Sequence, residues 1–420
     1  MFPRHAKSVS SILPNAPKLR DLSIGKIGVS WPLHLLNPDI VHLTIDEIGI
    51  RDRPSLPQLR EALQAMPKLE TLALTYSLPV QPAHATIYTV SENCDVSLLP
   101  TLPSVTSLKL AATSGIDILA FNTNFYFPSV TSLEIASSLD LDPGHTSLQS
   151  ILASLCSFYQ PVLSSQRQGQ KPFYFRSLSI EYNEDSDGWD IRAGGPTTNT
   201  TNERYPSWMR TQFEPRFTTK LQTSRRADIE GFCKAMCQLL PMEHVSTLVV
   251  DCDLFRQRDD WLQAFCRMTN IATLMVRGAA VHGLVDALDD EVGANVRIQT
   301  SAYIADVMAL VHGELGATVP AHIFPRMEHL AIGRVSFDAV ADDPQTLYEH
   351  LRSGLERRHQ EGTGVQPLAR LAVHDCNIQV EHVTQLGEAV THGALDWDGR
   401  WAGLLELLGA DFTTTEGSDA

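Results

Sequence analysis

One short hydrophobic pattern recurs along the chain and predicts its main structural element. Each copy reads Pro, any residue, an apolar residue, two variable residues, Leu, any residue, and a final apolar residue. Because the last two apolar positions alternate with period two, both side chains point to one face of a short β-strand. The copies with this spacing are Pro17–Ile24, Pro38–Ile45, Pro67–Leu74, Pro103–Leu110, Pro128–Ile135 and Pro325–Ile332.

Looser copies of the pattern lack the proline but keep the leucine and the apolar residue after it. They are Phe175–Ile180, Val245–Val250, Ile271–Val276 and Leu368–Val373. The proline fixes its own φ and disfavours helix at the residue before it. We therefore expect it to end the preceding helix and direct the strand inward.

The segments between the strand units are apolar at spacings of three and four residues, which predicts amphipathic helices. These segments are Leu56–Met66, Ser147–Phe158, Asp228–Leu240, Asp259–Met268, Asp343–Arg358 and Val380–Val390, with Thr146, Asp228 and Asp259 as expected N-caps. A strand this short cannot bury its apolar face alone, so stacked parallel copies must share one core. The predicted fold is α/β: an irregular leucine-rich-repeat-like (ribonuclease-inhibitor-like) solenoid, with a parallel sheet on one face and helices on the other.

The spacing of the strand units is irregular. The key leucines Leu22, Leu43, Leu72, Leu108 and Leu133 are 21, 29, 36 and 25 residues apart, and 70 residues separate Leu178 from Leu248. The sequence therefore predicts an N-terminal repeat segment at 1–181, a polar and partly disordered insertion at 182–223, a C-terminal repeat segment at 224–409 and a disordered tail at 410–420.

The aromatic and apolar residues in the second half of the insertion allow two interpretations. They are Tyr205, Trp208, Met209, Phe213 and Phe217. They could anchor a partner if exposed, but packing back onto the repeats is favoured, because large apolar residues in a folded chain mostly belong to the core.

Composition narrows the classes of function. There are 33 Lys and Arg against 49 Asp and Glu, a net charge of −16, which disfavours binding of nucleic acid through a general basic surface. No apolar run approaches the roughly 20 residues of a membrane helix. Seven scattered cysteines predict reduced, mostly buried thiols in a cytoplasmic or nuclear protein.

Candidate chemistry is sparse, and we expect no catalytic, cofactor-binding or metal-binding residue. Cys233, Cys237, His244 and Cys252 could be metal ligands, but buried thiols are favoured, since a structural zinc site more often uses Cys-x-x-Cys pairs. The run from Asp185 to Asp190 resembles a calcium loop, but it lacks the glycine at position 6 and the glutamate at position 12 of such loops. The chain shows no nucleophile elbow, no zinc-hydrolase pair and no phosphate-binding glycine loop. An enzyme is therefore less favoured than a binding scaffold.

The repeats Pro38–Ile45, Pro67–Leu74, Pro103–Leu110, Pro128–Ile135 and Pro325–Ile332 resemble those of fungal F-box proteins with degenerate leucine-rich repeats, and Leu395–Gly399 resembles their last strand. The resemblance implies the substrate-recognition part of an SCF-type ubiquitin ligase. The chain starts almost inside the first repeat, without the N-terminal F-box of that family, so an Skp-type adaptor is expected as a partner only if an F-box is missing from the gene prediction.

Three hypotheses follow. The first is a protein-interaction scaffold of this kind, with a protein partner of unknown identity. The second is a leucine-rich-repeat regulator unrelated to ubiquitin, and the third is an enzyme on another α/β fold. For a scaffold, the strand positions between the apolar ones should face outward, and these include Ser23, Thr44, Ala73, Lys109 and Glu134.

Overall fold

The computed structural model describes residues 19–25, 36–80, 99–138, 148–155, 175–183, 188–197, 212–222, 226–240, 242–289, 322–337, 347–358, 364–390 and 394–398. The chain divides into two compact units, with the boundary between Val245 and Ser246 for the described residues. The sequence instead predicted that the C-terminal repeat segment begins after residue 223, where the polar insertion ends. Each unit contains an open sheet and the helices that pack on it.

The first unit has an eight-stranded, mostly parallel sheet with the order β1-β2-β3-β4-β5-β8-β7-β6. Its strands are β1 (Asp21–Gly25), β2 (His42–Asp46), β3 (Thr71–Thr75), β4 (Ser107–Ala112), β5 (Ser132–Ser138), β6 (Ser177–Asn183), β7 (Gly188–Thr197) and β8 (Gln212–Gln222). Its helices are α1 (Leu56–Gln64), α2 (Gly115–Asn122) and α3 (Arg226–Leu239), with a further helical stretch at 148–155 and a 3-10 turn at Ile50–Asp52.

The second unit has a five-stranded sheet in which every strand pairs in parallel with the next. Its strands are β9 (Thr247–Asp251), β10 (Thr273–Arg277), β11 (His329–Gly333), β12 (Arg370–His374) and β13 (Ala394–Trp397). Its helices are α4 (Arg258–Phe265), α5 (Ala280–Asp289), α6 (Leu347–Arg358) and α7 (Val380–Ala389).

The leucine of each repeat builds the core, which confirms the predicted α/β repeat fold. All ten units of the pattern form strands, and the leucines of directly paired units lie in register, as in the pairings Leu43 with Leu72 and Leu274 with Leu330. Leu133 and Leu178 pair instead with Phe217 of β8 and Ala193 of β7. Every one of the ten is at most 8% exposed. A one-residue slip would move such a row to the opposite face, so the shared leucine fixes the register. The ten are Leu22, Leu43, Leu72, Leu108, Leu133, Leu178, Leu248, Leu274, Leu330 and Leu371.

The proline of the repeat does more than end the preceding helix, because it lies at a defined position in a turn. It is the second residue of a β-turn, in which the first residue's carbonyl accepts from the fourth residue's N–H: Leu69 to Met66, Val105 to Leu102 and Met327 to Phe324, at 3.2, 3.4 and 3.1 Å. Proline suits this position because its fixed φ matches that of the second residue of such turns. The two ends of each of these turns are buried apolar residues, so the turn also closes the core.

A shared carbonyl follows each turn. Two consecutive N–H groups of one strand donate to the same carbonyl oxygen on the previous repeat: those of Glu70 and Thr71 to Val41, at 2.8 and 3.0 Å, for example. The carbonyls of Arg20, Glu70, Thr106, Ser246, Ala272 and Glu328 accept in the same way. This contact connects successive repeats in each unit before their strands begin to pair.

The residue directly after several strands adopts a left-handed conformation, which the sequence does not predict. Its N–H donates to the next repeat: Glu47 to the carbonyl of Thr75 at 2.8 Å and Tyr76 to that of Ala111 at 2.7 Å. The φ values are 50° at Glu47, 49° at Tyr76, 56° at Arg334, 52° at Asp375 and 73° at Gly278. Because only one of these residues is glycine, the other four hold a backbone conformation that is unfavourable for them.

The segment predicted as a polar, partly disordered insertion contributes two long strands, β7 and β8. Strand β8 pairs in parallel with β5, and β7 lies antiparallel between β8 and β6. The signal is a period-two pattern in which Trp189, Ile191 and Ala193 are buried. The turn-forming residues around this pattern favoured the prediction of a loop instead of a strand. Phe217 is fully buried in β8, as its core interpretation predicts, whereas Tyr205, Trp208 and Met209 lie outside the described residues.

The predicted helices form, with shifted ends. The N-cap of α4 is Gln257, whose N–H donates to Asp260 Oδ2 at 3.1 Å, so Asp259 lies inside the first turn and its prediction as N-cap was wrong. Asp228 also lies within the first turn of α3, and Thr146 is outside the described residues. Helices α2 and α5 were not predicted. Because Gly283 has no side chain, α5 packs directly against the backbone of residues 255–257 at this position.

Replacement of Gly283 by alanine should destabilise the second unit. A Cβ there would lie 2.4 Å from the carbonyl oxygen of Phe255 and 2.7 Å from that of Gln257, and a backbone cannot yield cheaply. We expect the free energy of unfolding to fall by about 1–3 kcal/mol. The matched control is Gly231→Ala in α3, where a Cβ meets nothing within 4 Å. It should gain about 0.5–1 kcal/mol. Urea denaturation of both variants tests the contact, and equal shifts would contradict it.

Glycine at a left-handed position should stabilise the first unit. Glu47→Gly removes a conformational cost of about 1–2 kcal/mol, partly offset by the greater freedom of glycine in the unfolded chain. The expected net gain is up to about 1 kcal/mol. Asp46→Gly, one residue earlier in extended backbone, should lose about 0.5–1 kcal/mol. Thermal and urea unfolding of the two variants should shift in opposite directions.

Candidate functional site

The outward face of the first unit's sheet carries the positions that the sequence singled out. Strand register aligns Ser23, Thr44, Ala73, Lys109 and Glu134 in one row across β1 to β5. Ser23 is exposed and Ala73 is buried, while the other three are half-buried. Side chains that are far apart in the sequence therefore form one row on the sheet.

Strands β8, β7 and β6 extend this row with Thr218, Arg192 and Ser179. A second outward row, two residues further along the strands, contains Ala136, Lys220, Asp190 and Glu181. Sequence reasoning named Lys109 and Glu134 as outward positions. It missed Lys220 and Arg192 and placed Asp190 in the calcium-like run, because it did not predict β7 and β8. The alternation of polar and apolar residues in those strands is the signal that could have found them.

Glu134 lies between two lysines. Its Oε1 is 3.1 Å from Lys109 Nζ on β4 and 3.1 Å from Lys220 Nζ on β8. Partial burial alone would raise the pKa of Glu134, but the hydrogen bonds and charges of Lys220 and Lys109 outweigh it and hold this pKa below its usual value. The carboxylate thus stays ionised and holds both ammonium groups on the outward face.

A second ion pair lies beside this triad. Arg192 Nη2 donates to Asp190 Oδ2 at 2.6 Å, both on β7. On β6, the Ser179 hydroxyl donates to Glu181. The candidate site, which we name the charged face, consists of Lys109, Glu134, Asp190, Arg192 and Lys220.

The cations of the charged face are more exposed than its carboxylates. The side chains of Lys109, Lys220 and Arg192 are 45%, 49% and 33% exposed, whereas those of Glu134 and Asp190 are 27% and 10% exposed. An approaching molecule therefore meets ammonium and guanidinium groups first. The carboxylates that balance these charges lie beneath them.

A pocket of ≈ 220 Å³ adjoins the charged face. It is lined at the ends of β5 and β8 by Ala136, Ser137, Lys220, Leu221 and Gln222, and on its other sides by Tyr76, Asn183, Gly188, Trp189 and Asp190. The Ser137 hydroxyl is buried and has no hydrogen-bond partner within the described part of the protein. A nucleophilic serine needs a base in hydrogen-bond contact, and the described residues around Ser137 include no such contact.

The second unit has a different outward face. Asp251 lies 3.6 Å from Arg277 Nη1 and 3.4 Å from Arg334 Nη1, and His374 Nε2 lies 3.7 Å from Asp396. Here the Asp396 side chain, at 47%, is more exposed than that of its basic partner His374, at 26%. The Arg334 and Asp251 pair shows the opposite order, with side chains 51% and 15% exposed, so the second unit's face presents exposed groups of both charges.

The described cysteines are buried in the core rather than grouped around a ligand. Cys233 and Cys237 are fully buried on α3, beside the equally buried Phe232. Burial raises the pKa of the Cys376 thiol to about 11 and also raises that of Cys266. Within the described ranges, no group of three or more His, Cys, Asp or Glu side chains is placed to hold a metal ion.

The remaining candidates of the sequence lie partly outside these ranges. Residues 185–187 of the calcium-like run are outside them, and Gly188, Trp189 and Asp190 of the same run belong to strand β7. Cys94 and Cys156 are also outside. Of the helices that the structure describes, none is both long and apolar enough to cross a membrane.

Comparisons with known proteins add little to these observations. No family model matches the chain, and no curated protein matches it. Among solved structures, the chain is similar to the leucine-rich repeat-containing protein LegL7 from Legionella pneumophila. The identity is 15%, the match covers 78% of this chain and 81% of that chain, and the TM-score is 0.27. The fold assignment therefore rests on the strand register and burial described above.

The lowered pKa of Glu134 can be measured. It should titrate below its usual range in the folded protein, and Lys220→Met should raise its pKa, since one of its two partners is lost. Side-chain carboxyl NMR reports this value. Lys68→Met, which removes a lysine paired with Asp39 away from the charged face, should leave Glu134 unchanged.

The pH dependence of folding stability gives a second test of the lowered pKa of Glu134. A carboxyl whose folded pKa is lowered stabilises the protein above its unfolded pKa, and this stability is lost as pH falls through the folded pKa. Glu134→Gln should therefore lose less stability on acidification than the parent protein. An unchanged acid dependence would show that the triad is not formed in solution.

Proposed function

We propose that the chain is a protein-interaction scaffold that binds its partner on the outward faces of its parallel strands. The observation that carries the proposal is the register of the outward positions. In-register pairing places one outward residue from each repeat in a continuous row, in which Thr44, Lys109 and Glu134 are polar and Ala73 is apolar. Such rows offer many contacts to one extended or folded partner, and small changes in the repeats would alter the contacts independently.

The packing of the helices on the inward face favours the outward face as the binding surface. The inward positions are the buried leucines and their apolar neighbours, which the helices cover. In the second unit the central outward residues Met275, Ala331 and Ala372 are buried as well. Outward positions such as Ser23, Thr218 and Thr247 retain solvent contact. A partner can reach the second set without any opening of the core.

We further propose that this scaffold serves substrate recognition in an SCF-type ubiquitin ligase, as the resemblance to F-box proteins with degenerate leucine-rich repeats suggests. The alternative is a leucine-rich-repeat regulator unrelated to ubiquitin. Both use the same face, so the partner separates them. Recovery of an Skp-type adaptor with the full-length protein would support the first, and its reproducible absence would favour the second.

Charge insertion on opposite sides of the sheets tests the scaffold itself. Thr44→Glu in β2 and Thr247→Glu in β9 place a bulky carboxylate on each outward face. Gln64→Glu in α1 and Thr384→Glu in α7 place the same group at exposed helix positions. Affinity purification with mass spectrometry, quantified against the parent protein, should show partners reduced roughly tenfold or more only for the strand variants.

Two results would contradict the proposal. Equal loss of partners with the helix variants would place binding on the helical side. Alternatively, both strand variants could retain every specific partner of the parent protein. Circular dichroism and thermal unfolding of all four variants separate loss of binding from loss of fold.

A further inference from the structure

We infer that the charged face binds an acidic, extended segment of the partner protein, with the carboxylates of that segment contacting Lys109, Lys220 and Arg192. This inference rests on the proposed scaffold function and specifies the chemistry of the partner. It is carried by the exposure of these groups, their spacing and the pocket beside them.

The exposure of the charges sets the sign of the partner. All three cations are more exposed than the carboxylates that pair with them. Each ammonium has three N–H donors, and the contact with Glu134 at 3.1 Å uses one from each lysine. The donors that remain on these half-exposed groups can bind a second carboxylate without breaking the existing pair.

The net charge of −16 does not prevent this binding. At physiological salt the Debye length is about 8 Å, so charges elsewhere on the protein are largely screened and the local groups dominate at contact. The distant negative charge should nevertheless slow the approach of a long polyanion such as nucleic acid, which favours a short acidic segment.

The spacing of the cations fits an extended chain. Lys109 and Arg192 lie in one row on β4 and β7, three strands apart in the sheet. With strands about 4.8 Å apart, their backbones are separated by roughly 14 Å, the length of about four extended residues. An acidic residue at every second position would place successive side chains on the same side, toward the sheet.

The pocket provides the space for a carboxylate next to Lys220. The small Ala136 forms one wall, and the buried Ser137 hydroxyl and the aromatic Trp189 and Tyr76 form others. Asp190 also lines the pocket, and its carboxylate is paired with Arg192. Ala136 is an outward position of β5, so a larger residue there would fill the pocket without altering any charge.

Fluorescence anisotropy with defined peptides tests the inference. The probe is a fluorescein-labelled peptide of alternating Glu and Ala, roughly ten residues long so that it spans the face in any register. The same peptide with Gln in place of Glu is the neutral control. We expect binding of the acidic peptide that weakens as salt rises, and at least about tenfold weaker binding of the neutral one.

The variants locate the binding. Lys220→Met and Lys109→Met should each weaken binding roughly fivefold, and Lys220→Arg should restore it because the charge is kept. Ala136→Leu should weaken binding through steric exclusion alone. Lys68→Met is the matched control, since this exposed lysine of the same unit lies outside the charged face and should have no effect. Thermal unfolding of each variant confirms that it folds.

Three outcomes would overturn the inference: equal binding of the Gln peptide, equal loss with Lys68→Met, or tighter binding of a labelled oligothymidylate that shows the same loss with Lys220→Met. The last would assign the face to nucleic acid. Failure of the acidic peptide leaves the scaffold proposal intact if the strand variants still lose partners in the purification, so the two proposals can fail separately.

Discussion

The shared register of the strands is the constraint on which the rest of this structure depends. A strand of five residues, such as Thr71–Thr75, buries two or three side chains and cannot be stable alone. It becomes stable when its leucine lies beside the leucine of the next repeat and its first N–H groups share a carbonyl of the previous one. Both contacts fail if the register slips by one residue. The same constraint that builds the core therefore also aligns the outward positions.

Local sequence determined the repeats well because each repeat requires the same residue types for the same reasons. The leucine position must be apolar because it faces the core. The proline suits the second position of the turn that precedes the strand. Copies without proline, such as Val245–Val250, still form strands, since the turn needs only its hydrogen bond and its buried ends, as Met242 and Val245 provide at 3.1 Å. The pattern was thus sufficient for ten strands, including those with the weakest match.

Other features depended on pairings that lie beyond any local window. Residues Glu47, Tyr76, Arg334 and Asp375 adopt positive φ although their types give no signal of it, because the next repeat accepts their N–H groups or lies against them. Strands β7 and β8 were hidden for a related reason. Their partners are each other and the flanking β5 and β6, so their polar composition alone indicated a loop.

The charged face shows how these non-local strand pairings determine a candidate functional surface. Two of its residues, Lys109 and Glu134, belong to regular repeats, and their outward position could be predicted from alternation alone. The other three belong to the inserted strands, and only the sheet order places Lys220 beside Glu134. Insertion of β8 and β7 next to β5 therefore changes the charge of the outward face without disturbing the leucine rows behind it. An array of this kind can acquire a new binding specificity in one segment, since the core and the recognition surface use opposite sides of the same strands.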